Sequence, residues 1–400
     1  MAVQFRLPLL ITRGVPLSFA PPEGHPLFTF RERRSLLRIG SSCVDTRVVL
    51  APMVGVTDHP YRHLCVRLGT RLAIAEMVSA DTRLWSAPAS RRRLAADSHG
   101  GPRWVQIVGN EPAQMAEAAR RQAALGAAII DINMGCPAKN VCRKAAGSAL
   151  LRDERLVGRI LGADIIDINM GCPAKKVCRK AAGSALLRDE RLVGRILAAV
   201  VAAVPAPVTL KIRTGWSPEE RNAPAIARIA WESGIAALAV HGRTRACGFA
   251  GQAEFETLRA IRRLVPIPLI ANGDIDSPER ARFVLDFTGA DAIMIGRAAQ
   301  GRPWIFREIA HHLATGSHLP SPSWDWTRAT LIAHLHALHS FYGDRAGTCI
   351  ARKHVGWYTR ARHDVSGFRA EFNRVNTLQE QQILIEAYFD EDKRRGYHAA

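Results

Sequence analysis

Residues 126–161 read GAAIIDINMGCPAKNVCRKAAGSALLRDERLVGRIL, and residues 162–197 repeat this stretch with two changes, Ala128 to Asp164 and Asn140 to Lys176. Each copy is an apolar run that ends at Asn-Met-Gly-Cys-Pro, followed by a basic loop and an amphipathic helical stretch. This order predicts a strand–loop–helix unit with a cysteine at the carboxyl end of its strand. Catalytic groups of parallel α/β folds lie at that end, so the chain offers two candidate sites for one reaction.

Outside the repeat, short apolar runs alternate with helical stretches such as 111–125 and 277–287. Strands that alternate with helices predict βαβ units and a parallel sheet. One apolar run comes from the repeat, so a single copy leaves eight, which is the strand number of a (β/α)8 TIM barrel. The nine runs are 48–53, 72–77, 104–108, 129–134, 165–170, 208–212, 237–241, 269–272 and 292–296.

Three regions follow from these patterns. Residues 1–38 mix prolines, arginines and isolated apolar residues, and we expect a disordered N-terminal extension there. Residues 39–318 carry the barrel pattern. Residues 319–400 show apolar residues at helical spacing, which predicts a small all-helical C-terminal domain.

Composition limits the function classes. The net charge of +19, from 55 basic and 36 acidic residues, favours a polyanionic partner, nucleic acid before membrane. The longest uncharged stretch is too short and too rich in proline to span a membrane. The eight cysteines include four from the repeat and lack the spacing of a zinc site, so we expect free thiols and no metal.

A polar or small residue follows almost every apolar run at its carboxyl end. Each one has a structural explanation when taken singly, such as a strand end that reaches water, a core histidine or a turn. Together on one end of a barrel they indicate a ring of groups around one ligand. In chain order they are Pro52, Met53, Val54, Glu76, Gln106, Lys211, Arg213, His241, Asn272, Gly273, Asp274, Gly296 and Arg297.

The residue types at these ends match the parts of a flavin nucleotide. Gly296 and Arg297 suit a phosphate, because glycine lets backbone N–H groups approach and a guanidinium donates as a fork. The Asn-Gly-Asp at 272–274 suits a polyol or a ring edge. Lys211 and Gln106 are suited to two edges of the ring, where a cation stabilises the reduced, anionic form. A cysteine facing that ring is placed to protonate an enolate left by hydride transfer.

Seven motifs in order carry a resemblance to a known family. They are LAPMVGVTDHPYR, NMGCPAKKV, GSALL, LKIRTGW, HGRTR, ANGDI and MIGRAAQGRPW. The chain resembles the bacterial tRNA-dihydrouridine synthases, most closely the B subfamily, from about residue 38 to about residue 389 once one repeat is discounted. Two features depart from the family pattern: Val54 stands where a small alanine is usual, and neither the leader nor the duplication has a counterpart.

The resemblance implies an FMN-binding barrel with a C-terminal helical domain that reduces the C5–C6 bond of uridines in tRNA, with NADPH as the reductant of FMN. It also implies that the cysteine of NMGCP donates a proton to C5. We place His241 with the implied cofactor contacts. Those contacts are Pro52, Met53, Val54, Gln106, Lys211, Asn272, Gly273, Asp274, Gly296 and Arg297.

The duplication leaves open which cysteine reacts, Cys172 or Cys136. A closed eight-stranded barrel fixes strand number, tilt and shear together, so we expect one copy to be extruded. Copy two continues into a longer helix and keeps Lys176, as the family motif does. We therefore assign Cys172 to the site and expect residues 126–161 to form an insertion at the bottom of the barrel.

Arg352, Lys353 and His354, with Trp357 and Arg360 nearby, place cations and an aromatic ring on successive helical turns. A solvated basic face is one explanation, and the resemblance favours a tRNA-binding surface in a cytoplasmic enzyme with no stable protein partner. Two rival hypotheses remain open. One is a catalytically impaired RNA-binding relative in which the duplication disrupts the site. The other is an FMN dehydrogenase of a small pyrimidine, against which the charge and the helical domain argue.

Overall fold

The structure is a computed structural model. It describes residues 37–40, 42–44, 46–95, 101–109, 111–134, 163–174, 178, 183–360 and 365–394. These residues belong to one compact unit, residues 35–400. Among them, no helix is both long and apolar enough to cross a membrane.

Nine parallel strands close into a barrel in the chain order β3 to β11, and β11 pairs with β3. The barrel fold is confirmed, and the expected strand number of eight is wrong. All nine apolar runs form strands because each one supplies buried residues to the barrel wall. The strands are β3 Val48–Leu50, β4 Leu72–Ser79, β5 Trp104–Val108, β6 Ile129–Asn133, β7 Ile165–Asn169, β8 Val208–Arg213, β9 Ala237–His241, β10 Leu269–Asn272 and β11 Ala292–Ile295.

Both copies of the repeat contribute a strand, β6 from copy one and β7 from copy two. They pair in register from Ile129↔Ile165 to Asn133↔Asn169, each residue beside its own duplicate. The expectation that copy one leaves the barrel is therefore wrong for its strand. The physical reason is that β6 and β7 have the same sequence, so the same side chains point into and out of the barrel on both strands. β6 can therefore pair with β5 on one side and with β7 on the other. The rest of copy one, residues 135–161, lies outside the described residues.

A short antiparallel hairpin covers the amino end of the barrel. Its strands are β1 Leu37–Ile39 and β2 Ser42–Val44. Leu37 and Ile39 are almost fully buried and form one apolar cluster with inward residues of the barrel strands, such as Trp104. The N-terminal extension therefore does not reach residue 38 as expected, because Leu37 already belongs to this hairpin.

Helices pack around the barrel, and polar caps help to fix where several of them begin. The side chains of Asp58, Asp189 and Ser277 each accept a hydrogen bond from a backbone N–H of the first turn. The barrel-side helices are α1 His59–Arg67, α2 Pro88–Leu94, α3 Pro112–Ala124, α4 Glu190–Ala203, α5 Ala223–Glu232, α6 Glu256–Leu264, α7 Pro278–Thr288 and α8 Ile305–Thr315.

The C-terminal region is helical, as expected. Its helices are α9 Trp324–Tyr342, α10 Asp344–Tyr358, α11 Val365–Phe372 and α12 Leu378–Arg394. They enclose an apolar cluster of their own that includes Leu335, Phe372 and Phe389. The region also contacts the barrel, where the hydroxyl of Tyr342 donates to Asp58 Oδ2 at 3.0 Å. That contact places the C-terminal helices beside the loop that follows β3.

Candidate active site at the carboxyl end of the barrel

The inner wall of the barrel changes from apolar to polar along the strands. Every second residue of a strand points inward, because side chains alternate between its two faces. The inward residues of the amino half are apolar and pack on the hairpin. Polar yet buried side chains gather towards the carboxyl half: Gln106, Asp131, Asn133, Asp167, Thr209, Arg213, His241 and Asn272.

The amide of Gln106 is held by two side chains of copy one. Gln106 Nε2 donates to Asp131 Oδ2 at 2.5 Å, and Asn133 Nδ2 donates to Gln106 Oε1 at 3.0 Å. Because an asparagine nitrogen can only donate, Gln106 Oε1 must face Asn133. The orientation of this amide therefore depends on β6.

Copy one and copy two bury two carboxyl groups side by side. Asp131 and Asp167 occupy paired positions on β6 and β7, and Thr209 Oγ1 donates to Asp167 Oδ1 at 2.5 Å. Burial raises the pKa of Asp131 well above its ordinary value, and the charge of Asp167 raises it further. Burial also raises the pKa of Asp167 to about 6, against the opposing effects of Thr209 and Lys211. Two adjacent buried carboxyls cannot both ionise freely, so the pair favours sharing a proton.

Lys211 lies on β8, beside copy two. Burial lowers the pKa of its ammonium to about 8, and the charge of Arg213 lowers it too, while Asp167, Asp131 and Cys172 oppose the shift. At neutral pH the side chain is therefore mostly charged. It provides a partly buried cation directed into the barrel mouth.

The loop that carries Cys172 is anchored on β8 by several hydrogen bonds. Met170 N donates to the carbonyl of Lys211 at 2.9 Å, and Arg213 Nε donates to the carbonyl of Gly171 at 2.9 Å. The carbonyl of Cys172 accepts from Ser184 N at 3.1 Å. Cys172 is half-buried. Its thiol lies near the cations of Lys211 and Arg213 at the barrel mouth. Its duplicate Cys136 lies outside the described residues.

His241 is a neutral imidazole in this site. Its Nδ1 lies 2.9 Å from Asn272 Oδ1, while Asn272 Nδ2 donates to the carbonyl of Met294 at 2.8 Å. The oxygen of Asn272 therefore accepts, and we assign the ring proton of His241 to Nδ1. Burial lowers the pKa of His241 to about 2, and the charges of Arg213 and Lys211 add to this effect.

An ionic network occupies the turn after β10. Arg243 Nη2 lies 2.5 Å from Asp274 Oδ2, and Arg297 Nη2 lies 3.1 Å from Asp274 Oδ1. Burial acts to raise the pKa of Asp274, but the two arginines and the N–H of Ala253 lower it below its ordinary value. Gly273 has a φ of 120°, and a Cβ there would lie 2.8 Å from the Cβ of Ala253, so the backbone itself requires glycine.

The remaining expected cofactor contacts lie at the same end of the barrel. Pro52, Met53 and Val54 lie in the loop after β3, one residue beyond its end, and Val54 is 62% exposed. Gly296 follows β11, and Arg297 begins a short 3-10 turn and remains half exposed. The structure therefore brings the expected groups to one mouth of the barrel.

One aromatic residue at this mouth was missed by sequence reasoning. Phe249 is 59% exposed, with the guanidinium groups of Arg213 and Arg297 at 5.2 Å and 5.8 Å from its ring centre. The only sequence signal was a single aromatic residue in the Gly-Phe-Ala-Gly loop after β9. Together with Val54, it gives the polar mouth two exposed apolar side chains.

The candidate RNA-binding residues of α10 are not a free basic face. His354 is almost fully buried against Tyr61 and His334, so its assignment to RNA contact is wrong. The reason is that the α10 face bearing His354 packs on α1 and α9. Arg352 donates to the carbonyl of Val375, and Lys353 donates to the carbonyl of Gly55. Lys353 thus joins the helical region to the loop after β3.

A cavity of about 220 Å³ adjoins Lys353, between α2, the loop after β3 and the C-terminal helices. Arg92 and Arg93 of α2 line it, together with the buried acids Asp58 and Glu76. Sequence reasoning missed this rim, although the run of three arginines at 91–93 was a signal. Within the described residues, no group of three or more histidine, cysteine or acidic side chains could hold a metal ion.

A closed parallel barrel whose carboxyl end joins amides, cations and a positioned thiol is an enzyme of the TIM-barrel class. Its sequence matches the profile of the Dihydrouridine synthase (Dus) family over residues 49–163 and again over residues 159–393. The two matches meet where copy one gives way to copy two. The chain belongs to the dihydrouridine synthase family.

Relatives of the chain are similar to it over most of their length. It is 51% identical over 362 residues to tRNA-dihydrouridine synthase B of Pseudomonas aeruginosa, covering 90% of this chain and 98% of the relative. It is 52% identical over 354 residues to tRNA-dihydrouridine synthase B of Xanthomonas campestris, covering 88% and 96%. It is 48% identical over 355 residues to that of Shewanella oneidensis, covering 89% and 99%.

Proposed function

We propose that this chain reduces uridine to 5,6-dihydrouridine in tRNA, with FMN as its flavin and NADPH as the reductant, in the cytoplasm. Family membership supports the reaction. The single structural observation that carries the proposal is the fixed position of Cys172 beside Lys211 and Arg213. That arrangement unites a proton donor with cations at the end of a barrel where a ring can bind.

The side chains at the barrel mouth fit a flavin nucleotide. Val54 and Phe249 supply exposed apolar surface for a flat ring, which a purely polar mouth would lack. Lys211 and Arg297 supply charge for the anionic ring edge and for the phosphate. The extra strand of copy one increases the spacing between Gln106 and Lys211 by about 4.8 Å along the sheet. A bound FMN would therefore have to span a wider barrel mouth to contact both Gln106 and Lys211 than in a barrel with a single copy.

Each of these residues has one role in the proposal. Lys211 holds positive charge at the ring edge, Gln106 donates an amide hydrogen, and Arg297 binds the phosphate while Asp274 orients its guanidinium. A reduced flavin, when bound, supplies the hydride that C6 of the uracil accepts. His241 stays neutral, and its Nε2 lies 3.4 Å from Arg243 Nη1, so it accepts from that guanidinium without adding charge.

Cys172 completes the reduction by protonating C5 of the uracil. Hydride addition at C6 leaves negative charge on C5 and the adjacent carbonyl, and a base stacked in the barrel is shielded from bulk water. A thiol that carries its proton serves as the general acid for this step. The anchoring of its loop on β8 supports the choice of copy two, and Cys136 stays the alternative donor.

The RNA would approach across the arginine run of α2 and the cavity beside Lys353. This rim adjoins the loop after β3, so it connects the barrel mouth to the C-terminal helices. Arg352 and Lys353 remain proposed contacts of the tRNA, although both donate to protein carbonyls in the free chain. Phosphate oxygens compete with carbonyl oxygens for such donors, because charge-assisted hydrogen bonds are stronger.

The experiment is to purify the chain, record its visible absorbance and supply NADPH with an unmodified tRNA transcript. We expect a yellow protein and nucleosides that gain two hydrogens, detected by mass spectrometry. A colourless protein that binds tRNA but adds no hydrogen would support the catalytically impaired RNA-binding relative instead. Reduction of a free pyrimidine, with none of tRNA, would support the small-molecule dehydrogenase.

A further inference from the structure

The two copies place the same asparagine in different surroundings. Asn133 ends β6 and Asn169 ends β7, and the two residues are paired across these strands. β6 has β5 on its other side, whereas β7 has β8. In a barrel with a single copy, one asparagine would lie between the two neighbouring strands. Here Asn133 lies beside β5, and Asn169 lies beside β8.

Asn133 of copy one acts on Gln106. Its Nδ2 donates to Gln106 Oε1 at 3.0 Å, and Asp131 accepts from Gln106 Nε2 on the same strand. These two hydrogen bonds prevent the amide from turning over, because the reversed amide would place donor against donor. An amide nitrogen carries two hydrogens, so a second donor remains for a ligand in the mouth.

Asn169 of copy two acts on the cysteine loop. Its Oδ1 accepts from Gly171 N at 3.1 Å, one residue before Cys172. The Asn169 side chain also hydrogen-bonds Asp131 of copy one. The same loop is held by Arg213 through the carbonyl of Gly171. Both polar groups of Gly171 are thus fixed, which sets the direction in which the chain enters Cys172.

We propose that the duplicated strands divide between them the positioning of two groups in the site. Asn133 of copy one orients Gln106 for the cofactor, and Asn169 of copy two orients Cys172. The inference rests on the proposed function, since it takes the ligand of Gln106 to be the flavin. Copy one is then a working part of the site through its strand, even though the reacting thiol comes from copy two.

The test compares Asn133→Ala with Asn169→Ala, two identical changes at duplicated positions. FMN affinity is measured by fluorescence titration of the apoprotein. Reactivity of Cys172 is measured from its alkylation rate by N-ethylmaleimide, followed on the tryptic peptide 160–175. That peptide differs in mass from the copy-one peptide 122–139, so the two cysteines are counted separately. Neither readout needs a turnover of tRNA.

We expect Asn133→Ala to weaken FMN binding about fivefold to tenfold, the cost of one misdirected hydrogen bond, with the alkylation rate of Cys172 unchanged. Asn169→Ala should alter that alkylation rate and change FMN affinity much less than Asn133→Ala does, because Asn169 reaches Gln106 only indirectly, through Asp131. In a Gln106→Leu background, Asn133→Ala should have no further effect, because its partner is gone. If Asn133→Ala does not fold, Asn133→Leu fills the volume and carries the same expectation.

Equal losses of FMN affinity in both alanine variants would overturn the division of roles between the copies. So would an effect of Asn133→Ala that persists without Gln106. These outcomes differ from a failure of the proposed function, in which the wild-type chain binds no FMN, or binds it and leaves tRNA unchanged. Absence of FMN binding in the wild type would overturn the inference together with the function, whereas inactivity with bound FMN would overturn only the function.

Discussion

Asp131 and Asp167 stand next to each other on paired positions of β6 and β7, with both carboxyl groups buried inside the barrel. One of the two exists only because the repeat was inserted. Gln106 donates to the first and Thr209 to the second, so both carboxyls are held in place beside each other. The duplication thus creates an electrostatic cost that a single copy does not have.

Asp131→Asn should stabilise the protein at pH 8. Burial raises the pKa of a carboxyl in the folded protein above its pKa in the unfolded chain. The protonated carboxyl adds stability at pH values below the unfolded-chain pKa, and this stability is lost as pH rises through the folded-protein pKa. For Asp167 that window extends from its ordinary value of 3.8 to about 6, and for Asp131 it extends further. Removing one of two adjacent buried carboxylates should raise the free energy of unfolding by on the order of 1–3 kcal/mol, the usual cost of burying an unsatisfied polar group.

Urea denaturation across this pH range measures the effect. The gain should vanish at acid pH, where the wild-type pair is protonated. Asp164→Asn is the matched control, because Asp164 is exposed at the start of copy two and its replacement should change stability little. A loss of stability at pH 8 in Asp131→Asn would show that the second carboxylate is favourable where it lies.

Cys172→Ala should slow tRNA reduction about 10²–10⁴-fold, the usual contribution of a general acid. Reduction of bound flavin by NADPH should continue, because that step does not use the thiol. Single-turnover kinetics separate the two steps. Cys136→Ala is the matched control from the other copy and should have almost no effect. The reverse result would place copy one in the site, and full activity in the double variant would exclude a cysteine donor.

FMN affinity should fall as pH rises through about 8, the lowered pKa of Lys211. Below that pH the ammonium is charged and attracts the partly negative carbonyl edge of the oxidised ring, and above it the attraction is lost. Fluorescence titration across the transition measures the change. Lys211→Met should bind FMN weakly at every pH and lose the dependence. Unchanged FMN affinity in this variant would remove Lys211 from the cofactor site.

Replacing Arg91 and Arg93, the two exposed arginines of α2, by glutamine should weaken tRNA binding and reduce its salt dependence. Each phosphate contact that is lost lowers the slope of log K against log salt by about one unit, since fewer counterions are released. Filter binding at several salt concentrations gives the slope. Arg120 and Arg121 of α3 provide the control, because both pair with Glu117 away from the cavity rim. Equal slopes in the two double variants would exclude α2 from the interface.

Deleting residues 126–161 should give a folded eight-stranded barrel. β5 would then pair with β7, which has the sequence of β6, and the second buried carboxyl would be gone. Thermal denaturation at pH 8 should show a higher midpoint than the full chain. Deleting residues 162–197 instead leaves nearly the same sequence and should behave alike. Aggregation of both shortened chains would mean that the ninth strand is needed for closure.

Much of this architecture can be predicted from the sequence. The nine apolar runs correspond to nine barrel strands, and several strands, such as Trp104–Val108 and Ala237–His241, match to the residue. Hydrophobic runs predict strands well because a strand buried on both faces needs apolar side chains throughout. The predicted count of eight strands is wrong because it is taken from the usual TIM barrel. It does not allow for β6, which pairs with both β5 and β7.

The buried polar residues inside the site are harder to predict from the sequence. Four polar residues, Gln106, Asp131, Asp167 and Lys211, each lie two residues before the end of a strand. The family resemblance indicates Gln106 and Lys211, whereas no motif singles out Asp131 and Asp167. Sequence also cannot show which face of α10 packs inward, which is why the prediction for His354 fails. Contacts between distant segments, such as Lys353 with Gly55, depend on how the helical region docks and have no local signal.

Two adjacent strands of identical sequence also affect how the chain reaches its native state. During refolding, β5 and β8 each meet two equivalent partners, so the wrong pairing is as favourable locally as the right one. A chain that joins β5 to β7 closes early and leaves β6 outside, and it must reopen before the ninth strand can enter. We therefore expect refolding molecules to divide between a direct route and a kinetic trap, which a second, slower refolding phase would reveal.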